Sequence, residues 1–237
     1  MSDSIVIIPT YNEKENIERM VRKVFSFDKE FHILIVDDGS PDGTADIVKH
    51  LQTEFSGKLH IEEREGKLGL GTAYIHGFKW CLKNGYDFIF EMDADFSHNP
   101  EDLIRLYDAC KNGGAELSIG SRYTKGGKVS NWPLGRILMS WGASIYVRII
   151  LWIGVKDTTA GFKCYTRKAL ETVNFENNIF KGYAFQIAMK YGVYKHGLKI
   201  TEVPITFIDR QFGKSKMSSS IFKEAILGVW KMRRMKL

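Results

Sequence analysis

The sequence predicts an α/β protein built on a mostly parallel sheet with helices on both faces. Three observations lead there. Near-continuous apolar runs such as SIVIIP (residues 4–9) and HILIVD (32–37) read as strands buried on both sides. Segments of helical period alternate with such runs through the first half of the chain. With 237 residues, 44% apolar and 26% charged, the chain can bury one large core. No Pro- or Gly-rich linker, repeat or low-complexity tract divides it, so one domain is expected over residues 1–216, followed by a basic amphipathic helix over 217–237.

The elements follow in order. Residues 4–9 form the first strand, with Asn12 expected to cap a helix running to Phe25. Residues 32–37 form the second. The turn after it, DGSPDGT (38–44), is dense in capping residues and leads into a helix to about Phe55. Residues 59–63, 86–92 and 115–120 read as three more strands, with helices near 69–84 and 100–112. A strand at 161–165, a helix at 183–194 and a strand at 199–208 complete the body.

Residues 134–155 are the greasiest stretch. Arg136 and Arg148 bracket its longest uncharged run, 137–147, which is about half of the ~20 residues a bilayer span needs. A buried core helix and a helix lying in a membrane interface are the two competing readings, ahead of a span. Cys81, Cys110 and Cys164 lie far apart without CxxC spacing. They suit a reducing compartment and argue against a disulfide framework or a cysteine metal site. A first strand beginning near Ser4 leaves no room for a signal segment, so a cytoplasmic location is expected.

The net charge of +6 is unevenly placed: residues 210–237 carry eight Lys or Arg and one acid, so the rest of the chain sums to −1. A basic end on a near-neutral body suggests an anionic partner such as a membrane surface or a diphosphate, against the plainer reading of a solvated helix face. Nucleic acid is the third option, but it gives no reason for the acidic strand ends and is set aside.

Ligands of open α/β sheets sit outside the carboxyl ends of the strands. Four successive strand ends carry PTYNE (9–13), Asp37-Asp38, Asp93-Ala94-Asp95 and Gly120-Ser121-Arg122. Asp93 and Asp95, spaced i, i+2 after the strand, read alone as turn-capping residues or as cation ligands. Beside Asp37, Asp38 and Arg122 the cation reading prevails, and oxygen ligands of this kind suit Mg2+ or Mn2+ shared with a phosphate. His98 reads as a turn residue. Two glycine-rich signals fail: GLGTAY (69–74) lacks the last glycine of a dinucleotide loop, and Gly213-Lys214-Ser215 has Ile208 where a phosphate loop needs its first glycine.

The motifs IIPTYNE (7–13), VDDGSPD (36–42), KLGLGTA (67–73) and MDAD (92–95) resemble family 2 glycosyltransferases of GT-A fold, a Rossmann-like nucleotide-sugar transferase architecture. GSRY (120–123), NWP (131–133) and FIDRQFGKSK (207–216) narrow the resemblance to dolichol (polyprenol) phosphate mannose synthases of the soluble, single-domain kind, over about residues 4–220. The resemblance implies transfer of mannose from GDP-mannose to a polyprenyl or dolichyl phosphate. The same chemistry with UDP-glucose, or transfer to a saccharide hydroxyl, are the alternatives.

It also implies roles. Pro9, Tyr11, Glu13, Asp37, Asp38 and Lys67 would surround the donor nucleoside, and Arg210 and Lys216 would close over its diphosphate. Asp93, Asp95 and Ser97 would hold the metal, while Arg122, Arg136 and Ser140 would grip the acceptor phosphate. Asp93, Asp95 and Arg122 would carry the chemistry. Relatives that glycosylate hydroxyls have an acidic base near the place of Gln186; an amide cannot take a proton, whereas a phosphate acceptor needs none removed. Ala160 departs from the serine of many relatives, which bears on acceptor choice. The partners implied are the sugar nucleotide, the lipid phosphate and the surface of a membrane at its cytoplasmic face, with a small membrane subunit left as an open option.

Overall fold

The computed structural model describes residues 2–178, 180, 182–210 and 219–234. Its strands are β1 (Ser4–Thr10), β2 (His32–Asp37), β3 (Leu59–Glu63), β4 (Phe88–Glu91), β5 (Leu117–Ser121), β6 (Lys128–Ser130), β7 (Lys163–Thr166), β8 (Ile200–Pro204) and β9 (Thr206–Ile208). Its helices are α1 (Ile17–Phe25), α2 (Thr44–Glu54), α3 (Leu70–Lys83), α4 (Asp102–Lys111), α5 (Leu134–Leu151), α6 (Arg167–Thr172), α7 (Tyr183–Lys195) and α8 (Ser219–Arg234).

Seven strands form one sheet in the order β3-β2-β1-β4-β7-β5-β8, and only β7 runs antiparallel to its neighbours. The α/β class and mostly parallel sheet expected from the apolar runs are the ones observed. Alternation along a strand sends side chains to opposite faces. Ile5 and Ile7 of β1 therefore pack with Tyr74 and Phe78 of α3, while Val6 and Ile8 pack with Met20 and Val24 of α1. α1 buries Ile17, Met20, Val21 and Val24, the spacing of one helical stripe. The second face is covered by α3, α5, α7 and α8, with Val229 and Met232 of α8 fully buried in that core.

Two expectations need correction. Asn12 caps no helix: it adopts φ 55°, and α1 begins only at Ile17. The N–H groups of Asn12, Glu13 and Lys14 instead donate to Ser40 Oγ, Thr44 Oγ1 and Asp42 Oδ2, which ties the ends of β1 and β2 together. The strand expected over 199–208 breaks at Ile205. Its second part, β9, leaves the main sheet to pair in parallel with β6, a strand too short to be read from the sequence. Ile208 N donates to Ser97 O, so this crossing carries Asp209 and Arg210 over the end of β4.

α5 is the one helix among the described residues that is long and apolar enough to cross a bilayer, with mean hydropathy 1.3 over 18 residues. One such helix is weak evidence of a span. Ser144, Val147, Ile150 and Leu151 face the protein core, whereas Leu134, Leu138, Trp141 and Ile149 are exposed. The helix thus lies on the body with one face in the core and a broad apolar face outside.

Candidate active site

The carboxyl ends of the parallel strands open into a cavity of about 670 Å³. Of the residues singled out in the sequence, it brings together Pro9, Tyr11, Glu13, Asp38, Lys67, Asp93, Asp95, Ser97, Arg122, Arg136 and Arg210. Asp37 and Ser140 are not in its wall, and Lys216 lies outside the described residues.

Asp37 is fully buried at the end of β2, where its carboxylate accepts from Thr10 Oγ1 at 2.7 Å and from Ser40 N and Oγ at 2.8 and 2.6 Å. It braces the loop from within. Asp38 Oδ1 accepts two N–H bonds from Arg64, which in turn donates to Thr72 Oγ1 at the start of α3. Arg64 carries no signal in the sequence, because it falls in the short stretch between β3 and the KLGLGTA motif. Lys67 Nζ stands 5.3 Å from the Tyr11 ring centroid, within cation–π range. The glycines of the failed dinucleotide motif have packing reasons: Gly69 opens α3 at φ 106°, and a Cβ on Gly71 would meet Phe180 O at 2.7 Å.

Asp93 and Asp95 follow β4. Phe96 between Asp95 and Ser97 takes φ 60°, and this turn lets Ser97 N donate to Asp95 Oδ1 at 3.0 Å. Arg210 Nη2 lies 2.8 Å from Asp95 Oδ2. Burial, and then the neighbouring Asp95 carboxylate, push the Asp93 carboxyl up to about 7. Two carboxylates and a hydroxyl are too few to surround a hard cation, and no group of three or more His, Cys, Asp or Glu among the described residues is arranged to hold one. Such an oxygen-only, incomplete set fits Mg2+ or Mn2+ shared with substrate phosphates. The repulsion between the two carboxylates, which adds to the effect of burial on Asp93, is what a bound cation would relieve.

His98 is no simple turn residue. It is buried in the cavity wall, stacked on Phe162 at 5.0 Å, and burial pulls its pKa down to about 4.

Two further arginines line the cavity, each paired with an aspartate. Arg122 is nearly buried. Asp157 accepts from its backbone N, Nε and Nη2 at 2.9, 2.8 and 2.7 Å, and Thr159 Oγ1 accepts from Nη2 at 2.8 Å. The Asp157 carboxyl is held below its usual range against its burial chiefly by this guanidinium. Arg136, at the head of α5, stands 3.8 Å over the Trp132 ring and pairs with Asp209 at 3.0 Å. Ser140 is one turn further along α5 and half-buried.

Gln186 on α7 lines the floor. Its Oε1 accepts from Lys163 Nζ and its Nε2 donates to Glu91 Oε2 at 2.8 Å, while Lys163 and Glu91, both fully buried, pair at 3.0 Å. An ion pair thus fixes which way the amide faces. Gln186 stands out in the sequence through the family resemblance, whereas the Lys163–Glu91 pair does not, because nothing in either local stretch signals a pairing across two strands.

A mostly parallel sheet whose strand ends carry an acidic pair, with a crossing segment that brings Arg210 onto that pair, defines a transferase of GT-A architecture. The chain belongs to glycosyl transferase family 2, whose family model, described as Glycosyl transferase family 2, matches residues 5–173. It is 46% identical over 232 residues to the polyprenol monophosphomannose synthase of Mycolicibacterium smegmatis, covering 97% of this chain and 87% of that one. It is 44% identical over 225 residues to the undecaprenyl-phosphate mannosyltransferase of Micrococcus luteus, covering 95% and 91%. Among solved structures, glucosyl-3-phosphoglycerate synthase from Mycobacterium tuberculosis in complex with phosphoglyceric acid superposes with TM-score 0.70 at 18% identity, over 98% of this chain and 81% of that one. The same protein with Mn2+, uridine-diphosphate-glucose and phosphoglyceric acid gives 0.69 at 18%, over 98% and 80%. These likenesses establish the fold.

Proposed function

We propose that this chain transfers mannose from GDP-mannose to a polyprenyl phosphate, with inversion at the sugar carbon, at the cytoplasmic face of a membrane and with a divalent metal. The observation that carries the reading is one cavity lined both by the carboxylates of Asp93 and Asp95 and by the guanidinium groups of Arg122, Arg136 and Arg210. The two relatives above, named for mannose transfer to polyprenol or undecaprenyl phosphate, support the acceptor and the sugar.

In this reading Tyr11, Asp38 and Lys67 bind the nucleoside, and Asp93, Asp95 and Ser97 would hold Mg2+ or Mn2+. When bound, that cation neutralises the diphosphate of the leaving nucleotide. Arg210, with Lys216, adds positive charge to the same diphosphate. Arg122 and Arg136 orient the acceptor phosphate for attack on the sugar carbon in line with the departing nucleotide, a task of positioning two anions against their repulsion. Gln186 takes no proton, which suits an acceptor that is already anionic.

The exposed apolar face of α5, continued by Leu227 and Trp230 of α8, supports a membrane surface as the place where the lipid acceptor is met. A saccharide hydroxyl as acceptor is disfavoured by Gln186, whose carbonyl oxygen is engaged by the Lys163 ammonium. A donor-by-acceptor activity screen tests the reading: GDP-mannose and UDP-glucose, each against phytanyl phosphate and a free saccharide, with and without Mn2+. Turnover confined to GDP-mannose, lipid phosphate and metal is expected. Transfer to the saccharide in the absence of lipid phosphate would overturn it.

A further inference from the structure

Two lysines lie fully buried beneath the cavity, and only one of them has an acidic partner in contact. Lys163 is paired with Glu91. Lys190, on α7 and 1% exposed, donates instead to three backbone carbonyls: Thr158 O at 3.0 Å, Ala160 O at 2.7 Å and Gln186 O at 3.3 Å. An ammonium has three N–H donors, so these carbonyls take all of them. Burial pulls its pKa well below the usual lysine value. A residue kept at such a cost of desolvation must gain something that an apolar side chain of similar length would not.

What it gains is control of a loop. Thr158 and Ala160 belong to the connection between α5 and β7, and Thr159, Ala160 and Gly161 face the cavity. The same loop supplies Asp157 and Thr159, which hold the Arg122 guanidinium through the bonds given above. A continuous path of hydrogen bonds and covalent chain therefore runs from α7 to Arg122. None of Tyr11, Asp38 and Lys67, proposed to bind the nucleoside, lies on it.

We propose that Lys190 is a positioning residue for the acceptor, fastening the 157–161 loop to α7 so that Asp157 and Thr159 aim Arg122 into the cavity. The inference rests on the reading of Arg122 as an acceptor-phosphate group. A misplacement of about 1 Å in such a group costs on the order of a hundredfold in rate. Lys190 thus governs acceptor use without touching the acceptor.

Lys190→Met keeps the length of the side chain and removes its donors. It should raise KM for polyprenyl phosphate, or lower kcat/KM for it, by about tenfold or more, while the calorimetric Kd for GDP stays within about twofold. In a double-mutant cycle with Arg122→Ala the two losses should fall well short of additive, because Lys190 works through Arg122. Additive losses, or equal weakening of acceptor and GDP, would overturn the proposal. If Lys190→Met does not fold, Thr159→Val, which removes one loop contact to Arg122, is read by the same split. A wild type that fails to use any lipid phosphate defeats the reading of the acceptor site and this inference with it. A wild type that uses lipid phosphate, beside a folded Lys190→Met with unchanged acceptor kinetics, defeats the role of Lys190 alone.

Discussion

The Arg210 guanidinium sits 2.8 Å from the Asp95 carboxylate, so one of the two proposed metal ligands already carries a positive partner. A divalent cation and this guanidinium compete for the same oxygen. Arg210→Ala should therefore tighten Mn2+ binding to the nucleotide-free protein by roughly two- to fivefold, about what a partly exposed ion pair is worth. The same change should slow turnover, since the displaced guanidinium no longer meets the donor diphosphate. Titration of free Mn2+ by electron paramagnetic resonance reads the first effect. Unchanged or weaker Mn2+ affinity would show that the pair does not compete with the ion.

Removing the cation or its seat should stop the reaction. Excess chelator, or Asp95→Asn, should lower turnover by about a thousandfold, in line with several kcal/mol of transition-state charge stabilisation. Added Mg2+ or Mn2+ should restore the chelated wild type but not the variant. Full activity in chelator would remove the metal from the account.

Much of this site was legible because strand ends in a parallel sheet are read directly from apolar runs. β1, β2 and β4 pass abruptly from apolar to polar residues, and the chain just beyond their ends carries Tyr11, Asp38 and Asp93. The parts that were not legible depend on contacts between distant segments. β6 has three residues, and only its pairing with β9 makes it a strand. Asn12 looked like a helix cap because the residues that bind the backbone there, Ser40, Asp42 and Thr44, lie some thirty positions away. Asp37 and Asp38 are adjacent and alike in sequence, yet the pleat turns one into the scaffold and the other into the cavity.

Arg136 should separate acceptor from donor. Its guanidinium lies over Trp132 and beside Asp209. Arg136→Ala should cost ten- to a hundredfold, roughly the 1.5–3 kcal/mol of a charge-assisted hydrogen bond, in kcat/KM for the lipid phosphate. GDP binding should stay near normal. Arg136→Lys should recover only part of the loss, since a lysine offers neither the planar fork nor the same stacking. A selective loss of GDP affinity would reassign Arg136 to the donor.

Acid should weaken the fold through a histidine remote from the cavity. His60 on β3 packs against Trp80 at 4.8 Å, and burial lowers its pKa. Its unfolded value is the ordinary one, about 6.5, so below that pH the unfolded chain binds the proton more readily. Stability is therefore fully present above about pH 6.5 and declines as pH falls toward the folded value. His60→Phe should keep the ring contact and lose less melting temperature than wild type between pH 7.5 and 5. Parallel curves for the two proteins would remove His60 from the acid response.

The basic end of the chain offers a test of membrane binding, but deleting it is the wrong one. Val229 and Met232 of α8 are fully buried against the same core as α3 and α7, so truncation would strip the body of part of its packing. Lys231, Arg233 and Arg234 are exposed on that helix and can be changed without opening the core. At about 1 kcal/mol per basic residue near an anionic surface, replacing all three by Gln should weaken partitioning to phosphatidylserine vesicles by roughly a hundredfold at low salt. The effect should shrink as salt is raised, because the attraction is screened within a Debye length. Trp141→Ala and Trp152→Ala, on the exposed side of α5 and just past its end, should weaken binding to neutral and anionic vesicles alike. Unchanged partitioning in all of these variants would leave the apolar face of α5 and the charges of α8 without a membrane role.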